Sequence, residues 1–221
     1  MFVAVDGIDG AGKTTLVFQL AQCLAEADPL VTKEPTNHTP WGRRLRESAR
    51  RGRLPKDKEI EFFHKDRLWH LANVIEPALA AGRMVISDRY VDSTLAFQTV
   101  SREEANALYE SFLADIRVPD ITFILECSVE VGLERIYESR GRLTKFEDFE
   151  TLENARNIYE SRSGEKYCAL DACGTIQETL QQAMIAFGER FSYSLSLEEC
   201  YSDLGIQLPY AQSTLKSAAG S

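Results

Sequence analysis

No stretch of the 221-residue chain approaches the roughly 20 consecutive apolar residues that a membrane-spanning helix needs, so no membrane partner is expected. The opening MFVAVDGIDG lacks the basic stretch and small-residue cleavage site of a secretory signal, and a cytosolic, cytoplasmic protein is expected. Cysteine is sparse. The five residues (Cys23, Cys127, Cys168, Cys173 and Cys200) are an odd number without a Cys-x-x-Cys pair, and His38, His64 and His70 share no ligand spacing with them. Reduced, mostly buried thiols are therefore expected, in place of a disulfide framework or a zinc cage. Positive charge is in the minority, 25 Lys and Arg against 34 Asp and Glu, which argues against a nucleic-acid partner held by broad electrostatic attraction. There is no internal repeat.

What is present is a core-forming composition, 44% apolar and 27% charged, arranged as strands alternating with helices. Strand patterns run at Phe2–Asp6, Leu30–Glu34, Arg83–Asp88, Ile121–Glu126 and Lys166–Asp171. Helical spacing occupies Lys13–Ala27, Trp41–Arg53, Lys56–Ala81, Arg102–Asp115, Ser128–Ser139, Phe149–Arg162 and Thr175–Phe187. Pro77 is expected to kink or divide the longest of these, because its ring removes a backbone donor. The alternation predicts an α/β fold of three layers, α/β/α, around a parallel sheet of about five strands. One domain over residues 1–188 is expected, with a mobile lid at about 139–148 (SRGRLTKFED) and a C-terminal extension over 189–221 whose role is unreadable.

The segment GIDGAGKT, Gly7 to Thr14, satisfies G-x-x-x-x-G-K-[ST] and lies between a strand and a helix, where a phosphate-binding loop belongs. Gly7, Gly10, Ala11 and Gly12 let consecutive backbone N–H groups converge on phosphate oxygens, and the helix start at Lys13, Thr14 and Thr15 adds partial positive charge. Lys13 can reach the β- and γ-phosphates of ATP, while Thr14 can ligate Mg²⁺. Asp9, a carboxylate inside this loop, would be repelled by phosphate unless it faces a cation or a hydroxyl donor. A second nucleotide supplies the hydroxyl, which favours a kinase over a GTPase; a loop-stabilising Asx turn is the plainer alternative.

Further segments fit a second anionic, aromatic substrate. Arg43, Arg46, Arg50 and Arg53 recur at helical intervals. Arg50 and Arg53 read as a solvated basic face, whereas Arg46 follows the turn at Glu34 and Pro35 on the sheet edge where α/β folds bind ligands. Phe63 and Arg67 stand four apart, so a stacking ring and a guanidinium share one helix face, suited to a flat base with carbonyl acceptors. Asp88 and Arg89 end the third strand, the acid placed for a magnesium contact and the arginine for phosphate. Ser93, Thr94, Phe97 and Gln98 follow and either line a base pocket or pack as ordinary helix.

Together the blocks FVAVDGIDGAGKTT, TKEPTNHTPWGRRLRE, FFHKDRLWHLANVIEPALAAGRMVISDRYVDSTLAFQ and PDITFILECSVEVGLERI resemble the thymidylate kinase family from Phe2 to about Leu180. The resemblance implies transfer of a phosphoryl group from MgATP to dTMP. It implies that Asp9 faces the acceptor 3′-hydroxyl and the metal region, that Arg46, Arg67 and Arg89 surround the monophosphate, and that Phe63 stacks on thymine. Glu34 belongs to the same acceptor site, Thr94 and Gln98 help to fix the base, and Phe97 lies against the deoxyribose. A homodimer is implied as well. Three features depart from the family pattern. Ala11 occupies a position that some branches fill with arginine, so the catalytic cation is sought in the lid at Arg140, Arg142 or Lys145. Thr144, Lys145, Phe146 and Glu147 stand where relatives carry Asp-Arg-Ile-Glu, and Glu126 replaces a commoner aspartate. A kinase for another pyrimidine nucleotide or a deoxynucleoside, and a P-loop switch protein, are the alternatives.

Overall fold

Strand β1 (Phe2–Gly7) is buried along its whole length, as a central parallel strand covered on both faces must be. The computed structural model of the chain describes residues 1–144 and 146–192 together with Cys200 and Leu204. Lys145 and the remainder of the expected C-terminal extension lie outside the described residues. Four more strands complete one sheet: β2 (Leu30–Lys33), β3 (Val85–Asp88), β4 (Ile121–Glu126) and β5 (Tyr167–Asp171), all parallel, in the order β2-β3-β1-β4-β5. Successive side chains of β1 point to opposite faces, and each face has its own core. Val3 and Val5 pack with Leu16, Leu20 and Phe187, while Phe2 and Ala4 pack with Leu71, Ile75 and Phe112. The three-layer expectation holds.

The helices are α1 (Lys13–Cys23), α2 (Pro40–Arg51), α3 (Lys56–His70), α4 (Glu76–Ala80), α5 (Val91–Gln98), α6 (Arg102–Phe112), α7 (Val129–Arg140), α8 (Phe149–Glu160) and α9 (Ile176–Phe191). Sequence periodicity gave α5 no bounds of its own: it is buried at nearly every position, Asp92, Ser93 and Thr94 included, so no exposed polar face sets a period. The break expected at Pro77 falls earlier, at a π-helical turn over Leu71–Ile75. Proline disturbs the turn before it, where its missing N–H would have met the carbonyl of Asn73. The all-reduced expectation for cysteine is corrected at one pair. Cys23 and Cys200 form a disulfide with their Cα atoms 4.8 Å apart, across a sequence separation of 177 that no local pattern reports. Cys127 is a buried free thiol, but Cys168 is half-buried and Cys173 exposed.

Candidate active site

Gly10 and Gly12 take positive φ, +81° and +94°, which closes the loop between β1 and α1 into a cradle. A Cβ on Gly10 would collide with the carbonyl of Gly132 in α7, so this glycine is required for close approach as well as for the turn. Gly12 caps α1 without a side chain to bond the first N–H groups, which leaves them directed at an anion. Lys13 Nζ donates to the Ile8 carbonyl at 2.6 Å and lies 3.9 Å from Asp9 Oδ1. Burial, reinforced by the charge of Arg89, lowers the Lys13 ammonium to about 8. Because phosphate binding requires the protonated amine, kcat/KM for ATP is expected to decline above about pH 8. Bound phosphates raise the amine again, so kcat should hold to higher pH; a kcat/KM as flat as kcat across that range contradicts the account.

Arg89 follows β3 with φ +75°, a conformation that side chains rarely adopt, and its guanidinium reaches the loop after β1. There it pairs with Asp9 and donates from Nη1 to Ser93 Oγ at 2.9 Å. Burial works against the Asp9 carboxylate, yet the charges of Arg89 and Lys13 hold it below the ordinary carboxylate range. This resolves the electrostatic objection to an acid in a phosphate loop: Asp9 meets two cations. Behind it, Ser93 bonds the buried carboxylate of Asp6, with Tyr159 Oη 3.0 Å from Ser93 Oγ. Burial and the charge of Asp92 raise the Asp6 carboxyl to about 7.

At the next strand end, Thr14 Oγ1 donates to Asp88 Oδ2, and the Lys33 ammonium reaches the same oxygen at 2.6 Å and Thr14 Oγ1 at 3.3 Å. Burial opposes the Asp88 charge, but Lys33 and then Arg89 keep its carboxyl below the ordinary range. Asp88 Oδ1 is buried without a hydrogen-bond partner. An ionised carboxylate with a spare oxygen beside a hydroxyl is a hard-oxygen donor set that fits Mg²⁺ once the Lys33 ammonium turns away from it. Sequence reasoning gave Lys33 no role. Only its place at the end of β2, opposite Asp88 in the strand register, could have signalled one.

Just after β2, Glu34 is 3% exposed and joins two helix residues. Arg67 Nε donates to its Oε2 at 2.9 Å, and His70 Nδ1 lies 3.0 Å from its Oε1. Arg67 also donates to Thr94 Oγ1 at 2.8 Å and to the Tyr90 carbonyl at 3.3 Å, and its Nη1 is buried without a partner. Arg46 donates from Nη2 to the Pro35 carbonyl. Arg53 is exposed, as expected, but does not belong to the α2 face. It lies beyond the end of α2, past Gly52, and bonds Glu59, Phe97 and Gln98. In the segment expected to form a lid, Glu147 is buried and ties Arg140 to the Thr144 N–H, the latter at 2.6 Å, while Arg142 is exposed. Arg135, also missed in the sequence, donates to the carbonyls of Ala172, Cys173 and Gly174 and so fixes the turn between β5 and α9.

Two cavities meet over the carboxyl edge of the sheet. One, about 400 Å³, is lined by Gly10, Gly12, Lys13, Thr14, Thr15 and Arg135. The other, about 280 Å³, is lined by Glu34, Arg46, Phe63, Phe97, Gln98 and Phe146. They share Asp9, Lys33, Arg89, Arg140 and Glu147, three cations and two carboxylates at the junction. Arg67 and Thr94 are fully buried and lie behind the second cavity's wall. Gly7 and Ala11 are buried under the first.

Residues 5–183 match the model of the family described as thymidylate kinase. A thymidylate kinase of Xylella fastidiosa (strain 9a5c) is 37% identical over 186 residues, covering 83% of this chain and 88% of the relative. One from Xanthomonas oryzae pv. oryzae (strain PXO99A) is 36% identical over 207 residues, covering 93% and 90%. A third, from Xanthomonas euvesicatoria pv. vesicatoria (strain 85-10), is 38% identical over 185 residues, covering 83% and 81%. With a phosphate loop, a metal-suited acid at the end of β3 and a joined second cavity in one site, the chain belongs to the thymidylate kinase family.

Proposed function

We propose that the chain transfers the γ-phosphoryl group of MgATP to dTMP, giving dTDP and ADP. The observation that carries this reading is the pair of cavities sharing a cationic junction, the arrangement needed to hold two anionic nucleotides end to end. A phosphate oxygen of dTMP forms the new P–O bond as the bond from the γ-phosphorus to the β,γ-bridging oxygen breaks, and the electron pair leaves on ADP. The moving group spreads negative charge over its equatorial oxygens, so the protein's contribution is alignment and charge stabilisation.

Lys13 and the first N–H groups of α1 hold the β- and γ-phosphates. Arg89, fixed by Asp9 and Ser93, faces the junction and steadies the acceptor phosphate with Arg46. Thr14 and Asp88 would hold Mg²⁺, which supplies charge neutralisation across the phosphate oxygens. The lid contributes a cation from Arg140, Arg142 or Lys145, and the Glu147 contact restrains the first of these. Asp9, half turned to the junction, accepts a hydrogen bond from the acceptor sugar. On the base side Phe63 and Phe97 offer apolar faces to the ring and the deoxyribose. Gln98 Nε2, on a residue that lines the cavity, is a buried donor without a protein partner that matches a carbonyl oxygen of thymine, and Arg67 backs the wall behind it. Thr94 serves this recognition by holding Arg67.

A cytoplasmic homodimer forms part of the same reading, supported by the family resemblance; no described helix is long and apolar enough to cross a membrane. The function is tested by ADP release with dTMP, dUMP, dCMP and thymidine as acceptors. Highest kcat/KM for dTMP is expected. Preference for thymidine would make the chain a nucleoside kinase, and hydrolysis independent of any acceptor would leave a nucleotide switch.

A further inference from the structure

Arg53 stands outside the residues that any phosphate or metal would touch, yet it contacts three residues that line the acceptor cavity. Its Nη2 donates to Glu59 Oε2 at 2.9 Å, to Gln98 Oε1 at 3.1 Å and to the Phe97 carbonyl at 3.2 Å, and its Nε lies 3.3 Å from the same Glu59 oxygen. Glu59 is fully buried and also accepts from the Leu54 N–H at 3.1 Å, so the arm is anchored from below. Above, the guanidinium lies 4.3 Å from the centroid of Phe146, whose ring meets Phe97 edge to face at 6.2 Å. Gln98, Phe97 and Phe146 all line the acceptor cavity.

A guanidinium has only donors, so the Gln98 side chain must turn its oxygen toward Arg53. The planar carboxamide then has one orientation left. Its Nε2, buried and without a partner, is offered as a donor. We infer that Arg53 is a positioning residue for acceptor selectivity, locking the Gln98 amide so that it can donate to a ring carbonyl but cannot accept from an exocyclic amine. Gln98 is thereby assigned to ring position 4, where thymine carries a carbonyl and cytosine an amine. Freed of Arg53, the amide can rotate to suit either, and the penalty against the amine is lost. The same guanidinium holds Phe146 against Phe97, so the apolar wall of the cavity loosens with it. The inference deepens the dTMP kinase reading and rests on it.

Two variants test it. Arg53→Lys keeps a cation beside Glu59 but cannot span Glu59, Gln98 and the Phe146 face together. In Arg53→Met/Glu59→Gln no buried carboxylate is left unpaired, which guards against simple misfolding. For each, kcat/KM is measured with dTMP, Ki with dCMP as competitor, KM with ATP, and Tm. KM for dTMP is expected to rise by about tenfold and the dTMP-to-dCMP preference to fall by about fivefold or more, values in the range of one buried hydrogen bond. KM for ATP should stay unchanged, since Arg53 is remote from the phosphate loop. An unchanged preference in a variant that folds overturns the inference, as does a loss of Tm accompanied by equal changes in all substrates, which a purely structural arm would produce. Absence of dTMP turnover in the unsubstituted enzyme would instead overturn the functional reading.

Discussion

Lys13→Ala is expected to lower kcat for phosphoryl transfer by about a hundredfold or more, the usual cost of removing a charge contact made to the reacting group. Several features of the site make the effect large. The amine is almost fully buried, so water and salt do not screen it. Ala11 leaves the loop without a second cation, and Arg89 is already committed to Asp9 and Ser93. The other cations lining the cavity, Lys33 and Arg140, are held by Asp88 and Glu147. Substitution also strips Asp9 of one of its two cations, so repulsion between Asp9 and the transferring phosphoryl group adds to the loss. Single-turnover assays at saturating ATP and dTMP, with circular dichroism to confirm folding, check the prediction. Retention of more than about a tenth of the wild-type rate would remove Lys13 from the role given to it.

Arg67→Ala is expected to have the largest effect on stability, about 3–5 kcal/mol, because it leaves a buried carboxylate with its cation gone. Glu34 would keep only His70, and Thr94 Oγ1 and the Tyr90 carbonyl would each lose a donor. Urea unfolding monitored by tryptophan fluorescence measures it. The double variant Arg67→Ala/Glu34→Gln should recover part of the loss, since neutralising the glutamate removes the stranded charge. A single-variant cost below about 1 kcal/mol would mean that the pair is better solvated than its burial indicates. Any Arg67→Ala protein that folds should also bind dTMP weakly, because Glu34 and Thr94 lose the side chain that fixes them behind the acceptor cavity.

These two residues differ in how readable they were. Lys13 follows from spacing alone, since the loop motif is local and its mechanism needs only backbone geometry around Gly10 and Gly12. Arg67 was placed on a helix face with Phe63, but its partners Glu34 and Thr94 are 33 and 27 residues away, and only the sheet edge brings them together. Arg53 was misplaced for a related reason, though it is exposed as expected. Helical spacing put it with Arg43, Arg46 and Arg50, whereas Gly52, with φ +149°, ends the helix and redirects the chain toward Glu59 and Gln98. Lys33 and Arg135 carried no motif at all. Their importance comes from strand register and from a turn between β5 and α9, both long-range.

Period and punctuation in the chain were enough to set the α/β alternation, the five strands, the phosphate loop and the acid at the end of β3. Each of those depends on neighbours a few residues apart and on a two- or near-four-residue repeat. The pairing of distant charges lay beyond that reach: Asp9 with Arg89, Asp88 with Lys33, Glu34 with Arg67. So did the Cys23–Cys200 bridge and the meeting of two cavities over one cationic junction. Burial removes water from these contacts and gives them their strength, and burial is a property of the packed molecule that no short window of residues contains.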